Sequence, residues 1–221
     1  MFLPRKIING RFRETLGQPD IRFVVTSLTT DGAQADGLLK LLTDPVSRNS
    51  ILDSPVLRDA AQKLPLPLKI SHELFFYILL RQGLPAVGIK SHKVASFLAE
   101  ALASFPPKPR PGVHTSDYVE ALKNARDYEY FALNVELGNR AMILSSVYAE
   151  TIYKPRKVYK VAGLNFYENL GRACYRNAAS HQLAEEFELK EILNTLAAEF
   201  VNVRTGLGNI KDGYLRVVGG K

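Results

Sequence analysis

Residues 117–153 constrain the fold most, because their apolar pattern changes from one-sided to all-round. In the first half the apolar residues recur at steps of three and four, which places them on one side of a helix. They are Tyr118, Ala121, Leu122, Ala125, Tyr128, Ala132 and Val135. From Leu137 onward the apolar side chains point in every direction, as in a buried helix. We therefore predict an amphipathic surface helix that leads into a buried central helix.

Small residues in the second half of this stretch favour close helix packing. A second helix can approach the track formed by Gly138, Ser145, Ser146 and Ala149. The stretch is also too short, and too close to Arg140 and Glu150, to span a membrane. We expect the rest of the chain to pack around this segment.

The flanking segments also favour helices. Ser54, Ser71 and Ser91 each precede an apolar periodic run and are suited to cap a helix. Residues 21–30 contain strand-favouring Val and Thr, but Pro19 followed by Asp20 is equally suited to start a helix. We favour the helix, because no other segment offers a partner strand.

Two features of the C-terminal part predict further helices. Asn165 and Glu168 have the spacing of a capping box. The apolar spacing from Leu189 to Val203 predicts one amphipathic helix, which either continues past Gly206 or frays there. The predicted fold is an all-α, single-domain irregular helical bundle over residues 1–221, built around a buried central helix and without a substantial sheet.

Two segments stand apart from this bundle. Residues 1–20 form either a loose N-terminal arm or a short helix. Residues 106–112 contain four prolines and two basic residues, which predicts an extended, exposed connector. The connector either joins two helical halves or is an external loop of one domain. We favour the loop, because each half alone has a thin core.

The composition of the chain indicates its cellular compartment and the classes of partner that it could bind. A chain of 221 residues with 46% apolar and 23% charged residues can bury a full core. A single cysteine excludes an internal disulfide framework, and the first residues lack the continuous apolar run of a signal peptide. No transmembrane segment is predicted, so we expect a cytoplasmic protein. The net charge of +7 permits contact with nucleic acid or an acidic surface.

No established catalytic or cofactor motif occurs in the sequence. The four histidines lack the spacings of di-iron and zincin sites, so we predict no metal site and no cofactor. His181 and Glu185 could share a metal only if one helix contains both, and a surface pair is the simpler interpretation. Cys174 and His181 would lie about 10 Å apart on one helix, too far for a catalytic pair. We therefore interpret Cys174 as a core residue and assign no catalytic residue.

The clearest hint of a nucleic-acid site is the basic, tyrosine-containing loop 153–160. Its candidate residues are Tyr153, Lys154, Arg156, Lys157, Tyr159 and Lys160. Basic side chains neutralise phosphates and tyrosine rings stack on bases. A solvated loop explains the same composition, and no known nucleic-acid-binding motif accompanies it. We favour the solvated loop.

The second candidate site lies at the start of the buried helix. Asn139 and Arg140 stand where an unpaired charge is expensive, and Glu136 is the local partner to expect for Arg140. One interpretation is a structural ion pair at the edge of the core, which we favour. The other is a pocket in which Asn139 and Arg140 orient a small anionic ligand, with Tyr148 deeper along the helix.

Three runs of the sequence resemble a known protein family. They are SHELFFYILLRQGL, LGNRAMILSSVYAETI and FYENLGRACYRNAA, the last two carrying Gly-Asn-x-Ala and Tyr-Glu-x-x-Gly patterns. Together they resemble an uncharacterised family of bacterial helical proteins of about this length, over roughly residues 50–205. The resemblance implies a bacterial helical fold and supplies no catalytic or binding residues.

Three functions follow as expectations. The first is a non-catalytic protein-interaction scaffold or homo-oligomer that uses an apolar helix face. The second is association with nucleic acid through the loop 153–160. The third is a binder of small anions, or an enzyme, with a pocket near Asn139 and Arg140.

Overall fold

A computed structural model of the chain describes residues 8–106, 113–149 and 163–219. In these ranges it contains thirteen α-helices, two short 3-10 helices (Phe12–Thr15 and Pro85–Val87) and no strand, which confirms the predicted all-α fold. The α-helices are α1 (Gln18–Leu28), α2 (Gly32–Thr43), α3 (Pro45–Leu52), α4 (Pro55–Gln62), α5 (His72–Gly83), α6 (His92–Ser104), α7 (Val113–Asn124), α8 (Asp127–Ser146), α9 (Leu164–Ala179), α10 (Gln182–Glu186), α11 (Lys190–Ala198), α12 (Phe200–Asn209) and α13 (Lys211–Gly219).

Helix α8 is the buried central helix. Every residue from Phe131 to Val147 is buried except Glu136, which is partly exposed. Its most extensive partner is α9, and α12, α7 and α6 also pack against it. One hydrophobic core joins apolar side chains from Val24 in α1 to Val217 in α13. A smaller cluster, which includes Tyr118, Leu137 and Cys174, joins α7 to α8 and α9.

The boundary between the surface helix and the central helix differs from the prediction. The sequence pattern changes at Leu137, but α7 already ends at Asn124 and α8 begins at Asp127. Asp127 has a φ of +43°, and Arg126 before it is extended, so the chain turns here. The apolar residues from Tyr128 to Val135 therefore belong to the central helix.

Glycines permit the close contact between α8 and α9. A Cβ atom on Gly138 would lie 2.7 Å from Cε1 of Tyr175 in α9. A Cβ atom on Gly171 of α9 would collide with the ring of Phe200 and contact Cβ of Ala141 at 3.1 Å. Such approaches exclude any larger side chain, so Gly138 has the packing role that the track of small residues predicts.

The predicted serine caps are confirmed. Ser54, Ser71 and Ser91 accept hydrogen bonds from the backbone N–H groups at the starts of α4, α5 and α6. Residues 18–28 are helical, which confirms the preference for a helix over a strand there. The buried carboxylate of Asp20 accepts bonds from the N–H and the hydroxyl of Ser71, at 2.7 and 2.8 Å, and so ties α1 to α5.

Two local predictions are wrong. The N-cap of α9 is Gly163, so Asn165 lies inside the helix and forms no capping box with Glu168. The predicted helix from Leu189 to Val203 is two helices, α11 and α12, which meet at Glu199. Helical structure continues through Gly206 to Asn209 and resumes in α13. Helix α3, capped by Asp44 with Pro45 at its first position, was not predicted.

The described part of the N-terminal segment is attached to α6. Both carboxylate oxygens of Glu100 accept backbone hydrogen bonds, from the N–H groups of Asn9, Gly10 and Phe12 at 3.3, 3.1 and 2.8 Å. Arg13 donates to Ser96. The segment continues into the 3-10 helix Phe12–Thr15. Of the connector 106–112, only Pro106 lies within the described residues.

Candidate functional site

A cavity of about 180 Å³ lies beside α8, between that helix, the end of α6, α7 and the N-terminal segment. Its walls are mainly apolar. The residues that line it are Ile8, Ala101, Ser104, Phe105, Pro106, Tyr118, Ala132, Val135, Glu136, Asn139 and Arg140. The five from α8 follow steps of three, one, three and one, so they form one face of that helix. On this face of α8 the polar and charged side chains are the three nearest the C-terminal end, Glu136, Asn139 and Arg140.

Arg140 is the most unusual residue of the cavity. It is 7% exposed, and its Nε atom is buried without a hydrogen-bond partner. Its guanidinium carbon lies 5.3 Å from the centroid of the Tyr118 ring and 5.6 Å from that of Phe105. Within the described ranges, no carboxylate comes within 4.0 Å of the guanidinium and no acceptor bonds to it. The positive charge is therefore held between two aromatic faces at the edge of an apolar cavity.

The ring contacts offset only part of the cost of burying this charge. A cation–π contact contributes about 0.5–2 kcal/mol. Burying an ion without a partner costs on the order of several kcal/mol even after the protein relaxes. An anion in the cavity would supply the charge-assisted hydrogen bonds that the guanidinium lacks. The arrangement thus favours occupation of the cavity by a negatively charged group.

Glu136 does not form the predicted ion pair with Arg140. Its Oε1 atom instead accepts a short hydrogen bond from the hydroxyl of Tyr118. The same tyrosine places its ring against Arg140. One residue of α7 therefore holds two oppositely charged residues of α8 in separate positions, although they lie one helical turn apart.

Asn139 is fixed by the neighbouring helix. Its Oδ1 atom accepts a hydrogen bond of 2.8 Å from the hydroxyl of Tyr175. Burial raises the pKa of Tyr175 well above its usual value, so this hydroxyl remains a neutral donor. The amide of Asn139 makes no other hydrogen bond to the described residues. Its NH₂ group is thus left as a donor, and Asn139 is one of the residues that line the cavity.

Tyr148, the third predicted ligand-binding residue, does not line the cavity. Its ring lies against Phe105, with 6.1 Å between centroids, and edge-on to Tyr214 at 6.1 Å. Burial raises the pKa of Tyr148 above its usual value. Tyr148 therefore contacts Phe105, which lines the cavity, and its own contact with a ligand stays a prediction.

The other predicted sites divide into two groups. Tyr153, Lys154, Arg156, Lys157, Tyr159 and Lys160 lie outside the described residues, so their contact with nucleic acid stays a prediction. Cys174 is buried, and burial raises the pKa of its thiol to about 12. His181 is not on the helix of Cys174, because α9 ends at Ala179 and His181 caps α10.

The described ranges contain no group of three or more His, Cys, Asp and Glu residues placed to hold a metal ion. None of their helices has both the length and the apolar character needed to cross a membrane.

A second polar cluster lies apart from the cavity, where α5 meets the start of α6. The hydroxyl of Tyr77 and Nδ1 of His92 are 2.7 Å apart, and Nε2 of His92 lies 3.6 Å from Oδ2 of Asp53. Arg81 binds both oxygens of Asp53 at 2.8 Å. Tyr77 is fully buried, and Arg13 covers its ring, so its hydroxyl is not placed to meet a substrate. We interpret this cluster as a structural set of polar contacts between helices.

No family model, curated protein or solved structure matches the chain. The resemblance to a bacterial helical family therefore stays a prediction, and the candidate site depends on its own geometry.

Sequence reasoning missed three residues of the site. The sequence predicts Tyr118 only as part of an apolar helix face and Glu136 only as an ion-pair partner, and it assigns no role to Phe105. A signal was present for Glu136, because residues 132, 135, 136, 139 and 140 share one helical face on an otherwise apolar helix. The contributions of Tyr118 and Phe105 depend on tertiary packing, which spacing does not reveal.

Proposed function

We propose that the protein binds a small, singly charged anion of the carboxylate class in the cavity beside α8, with Arg140 as the anion-binding residue. The observation that carries the proposal is the buried guanidinium of Arg140, which has no anionic partner among the described residues and lines a cavity. Its planar fork matches a carboxylate with two parallel hydrogen bonds.

The rest of the cavity supports a small and partly apolar ligand. Pockets for drug-sized ligands have volumes of roughly 300–1,000 Å³, and this cavity of about 180 Å³ is smaller. Alanine, valine, isoleucine and aromatic side chains form most of its wall. Because Glu136 adds a negative charge nearby, a dianion such as phosphate is a poorer fit than a monocarboxylate.

Isothermal titration calorimetry with 4-methylpentanoate tests this proposal. The neutral control ligand is 4-methylpentan-1-ol, which has the same carbon skeleton. We expect heat of binding for the acid and none for the alcohol with the natural chain. Arg140→Met should abolish the signal for the acid, and Arg140→Lys should weaken it, because lysine lacks the planar fork.

A matched control separates this effect from a general loss of positive charge. Arg176 is exposed on α9, so Arg176→Met removes an arginine away from the cavity. Binding of the acid should be unchanged in this variant. Equal affinity of Arg140→Met and the natural chain for the acid would overturn the proposal.

A protein-interaction scaffold is the second candidate. It is supported by apolar side chains at the surface of α2, α3 and α4, where Leu41, Val46 and Val56 are 49%, 75% and 52% exposed. Light scattering after size exclusion tests the homo-oligomer version, and a strict monomer at all concentrations would contradict it. Both candidate functions are proposed for a cytoplasmic protein, which is the location expected from the sequence.

A further inference from the structure

We infer that the ligand is a zwitterion of the α-amino acid class with a short apolar side chain, bound at its carboxylate by Arg140 and at its ammonium by Glu136. The inference rests on the proposed function, which supplies the role of Arg140. It adds a second recognised charge and therefore a second requirement on the ligand.

Glu136 and Arg140 stay apart although they lie one helical turn from each other. Residues of opposite charge at this spacing on a helix ordinarily form an ion pair. Here both line the same cavity and no pair forms within 4.0 Å. A gap between opposite charges on one wall is suited to a ligand that carries both charges itself.

Tyr118 contacts both charged residues and keeps them apart. The hydroxyl of Tyr118 holds Oε1 of Glu136, while its ring faces the guanidinium of Arg140. Oε2 of Glu136 makes no hydrogen bond to the described residues. One carboxylate oxygen is therefore left as an acceptor beside the cavity, and an ammonium group is the strongest donor that it can bind.

The remaining groups of the cavity fit the other parts of an α-amino acid. An α-amino acid carries its ammonium and its carboxylate on one carbon, so hydrogen bonds of about 2.7–2.9 Å to each side bridge the gap. The NH₂ group of Asn139 is a further donor for the carboxylate. Apolar residues, among them Ala101, Ala132 and Val135, line the rest of the cavity and are suited to an aliphatic side chain.

Three ligands of one carbon skeleton test this inference by calorimetry. They are L-leucine, 4-methylpentanoate, which lacks the ammonium, and L-leucinamide, which lacks the carboxylate. We expect L-leucine to bind at least about tenfold more tightly than 4-methylpentanoate, which is a difference of about 1.4 kcal/mol. L-leucinamide should bind more weakly than either acid.

Glu136→Gln is the matched variant, because it keeps the size of the side chain and removes its charge. It should reduce the affinity for L-leucine to that for 4-methylpentanoate and leave the latter unchanged or improved. Equal affinities of the natural chain for the two acids would overturn the zwitterion and leave the proposed function standing. Absence of binding by both acids would overturn the two together.

Discussion

The guanidinium carbon of Arg140 lies over the ring of Tyr118, 5.3 Å from its centroid, and the hydroxyl of the same tyrosine donates a hydrogen bond to Glu136. Tyr118 belongs to α7, whereas the two charged residues belong to α8. The contact between these two helices therefore determines whether the charges face the cavity or each other.

Tyr118→Phe should close the site without unfolding the protein. The substitution keeps the ring against Arg140 and removes the hydroxyl, so Glu136 is free to pair with Arg140. We expect the affinity for L-leucine to fall at least about tenfold, while the midpoint of thermal unfolding changes little. Tyr128→Phe is the control, because Tyr128 is exposed. An unchanged affinity in Tyr118→Phe would show that the hydroxyl does not hold the charges apart.

Removal of Arg140 should stabilise the ligand-free protein. Arg140→Met replaces a buried charge, which has no described anionic partner, with an apolar side chain of similar length. We expect a gain of about 1–2 kcal/mol in the free energy of unfolding, since the desolvation cost exceeds the ring contacts that are lost. Urea unfolding of the ligand-free protein measures it.

Arg172→Met is the matched comparison for that result. Arg172 also lies over an aromatic ring, that of Phe200, but it donates to the carbonyls of Ala197 and Ala198 and pairs with Glu168. Its removal should therefore destabilise the protein by about 1–3 kcal/mol. The same sign in both variants would contradict the view that Arg140 is kept for binding.

Gly138→Ala and Gly208→Ala should have opposite effects on stability. A methyl group on Gly138 would lie 2.7 Å from the ring of Tyr175, which its bond to Asn139 holds in place. We expect a loss of about 1–3 kcal/mol from this overpacking. Gly208 is in α12 with no atom within 4 Å of the added methyl group, so alanine there should contribute about 0.5–1 kcal/mol through helix propensity. Urea unfolding of both variants measures the difference.

Stability should fall as the pH is lowered through the range in which histidine titrates. The pKa of His92 is lowered from 6.5 by burial and by the charges of Arg81 and Arg13, against the opposing charge of Asp53. A lowered pKa in the folded state means that the unfolded chain binds the proton more readily. The contribution of His92 is therefore complete above pH 6.5 and is lost as the pH falls toward the folded-state value.

Two substitutions separate the contribution of His92 to the pH dependence of stability from that of other groups. His92→Gln retains a partner for the hydroxyl of Tyr77 and cannot titrate. In this variant the free energy of unfolding should decrease less between about pH 7.5 and about pH 5 than in the natural chain. His72→Gln changes a histidine outside the cluster and should retain the full decrease. Parallel curves for His92→Gln and the natural chain would show that another group is responsible.

The single cysteine should react slowly until the protein unfolds. Burial raises the pKa of Cys174 to about 12, so little thiolate exists at pH 8 in the folded state. Reaction with Ellman's reagent should follow the fraction unfolded in urea and reach one thiol per chain in full denaturant. Rapid reaction of the folded protein would indicate an accessible thiol.

The sequence correctly predicted those parts of the fold that depend on residues close together along the chain. Serine caps, the buried central helix and the preference for a helix within residues 21–30 all depend on interactions within a few residues, and all were confirmed. The break at Arg126 was missed because the apolar spacing continues across it. The break at Glu199 was missed for the same reason, since Leu196, Phe200 and Val203 keep the helical step while the backbone turns.

The site was predicted only in part. Asn139 and Arg140 were found because polar side chains on a buried helix are costly, which is a local property. Whether Arg140 pairs with Glu136 depends on Tyr118, eighteen residues before Glu136 along the chain. The cavity itself also needs Ile8 and Phe105, whose approach depends on the packing of α6 and the N-terminal segment.

The carboxylate of Glu100 has a further consequence for the N-terminal segment, which supplies Ile8 to the cavity. Glu100 binds backbone N–H groups, and every amino acid except proline has one. Gly10 is the exception to this freedom, because its φ is +71° and a Cβ atom would lie 3.2 Å from the backbone of Phe97. Substitution of Asn9 would remove only the local bond that its Oδ1 accepts from the N–H of Arg11, so residue 9 can change during evolution while one wall of the cavity keeps its position.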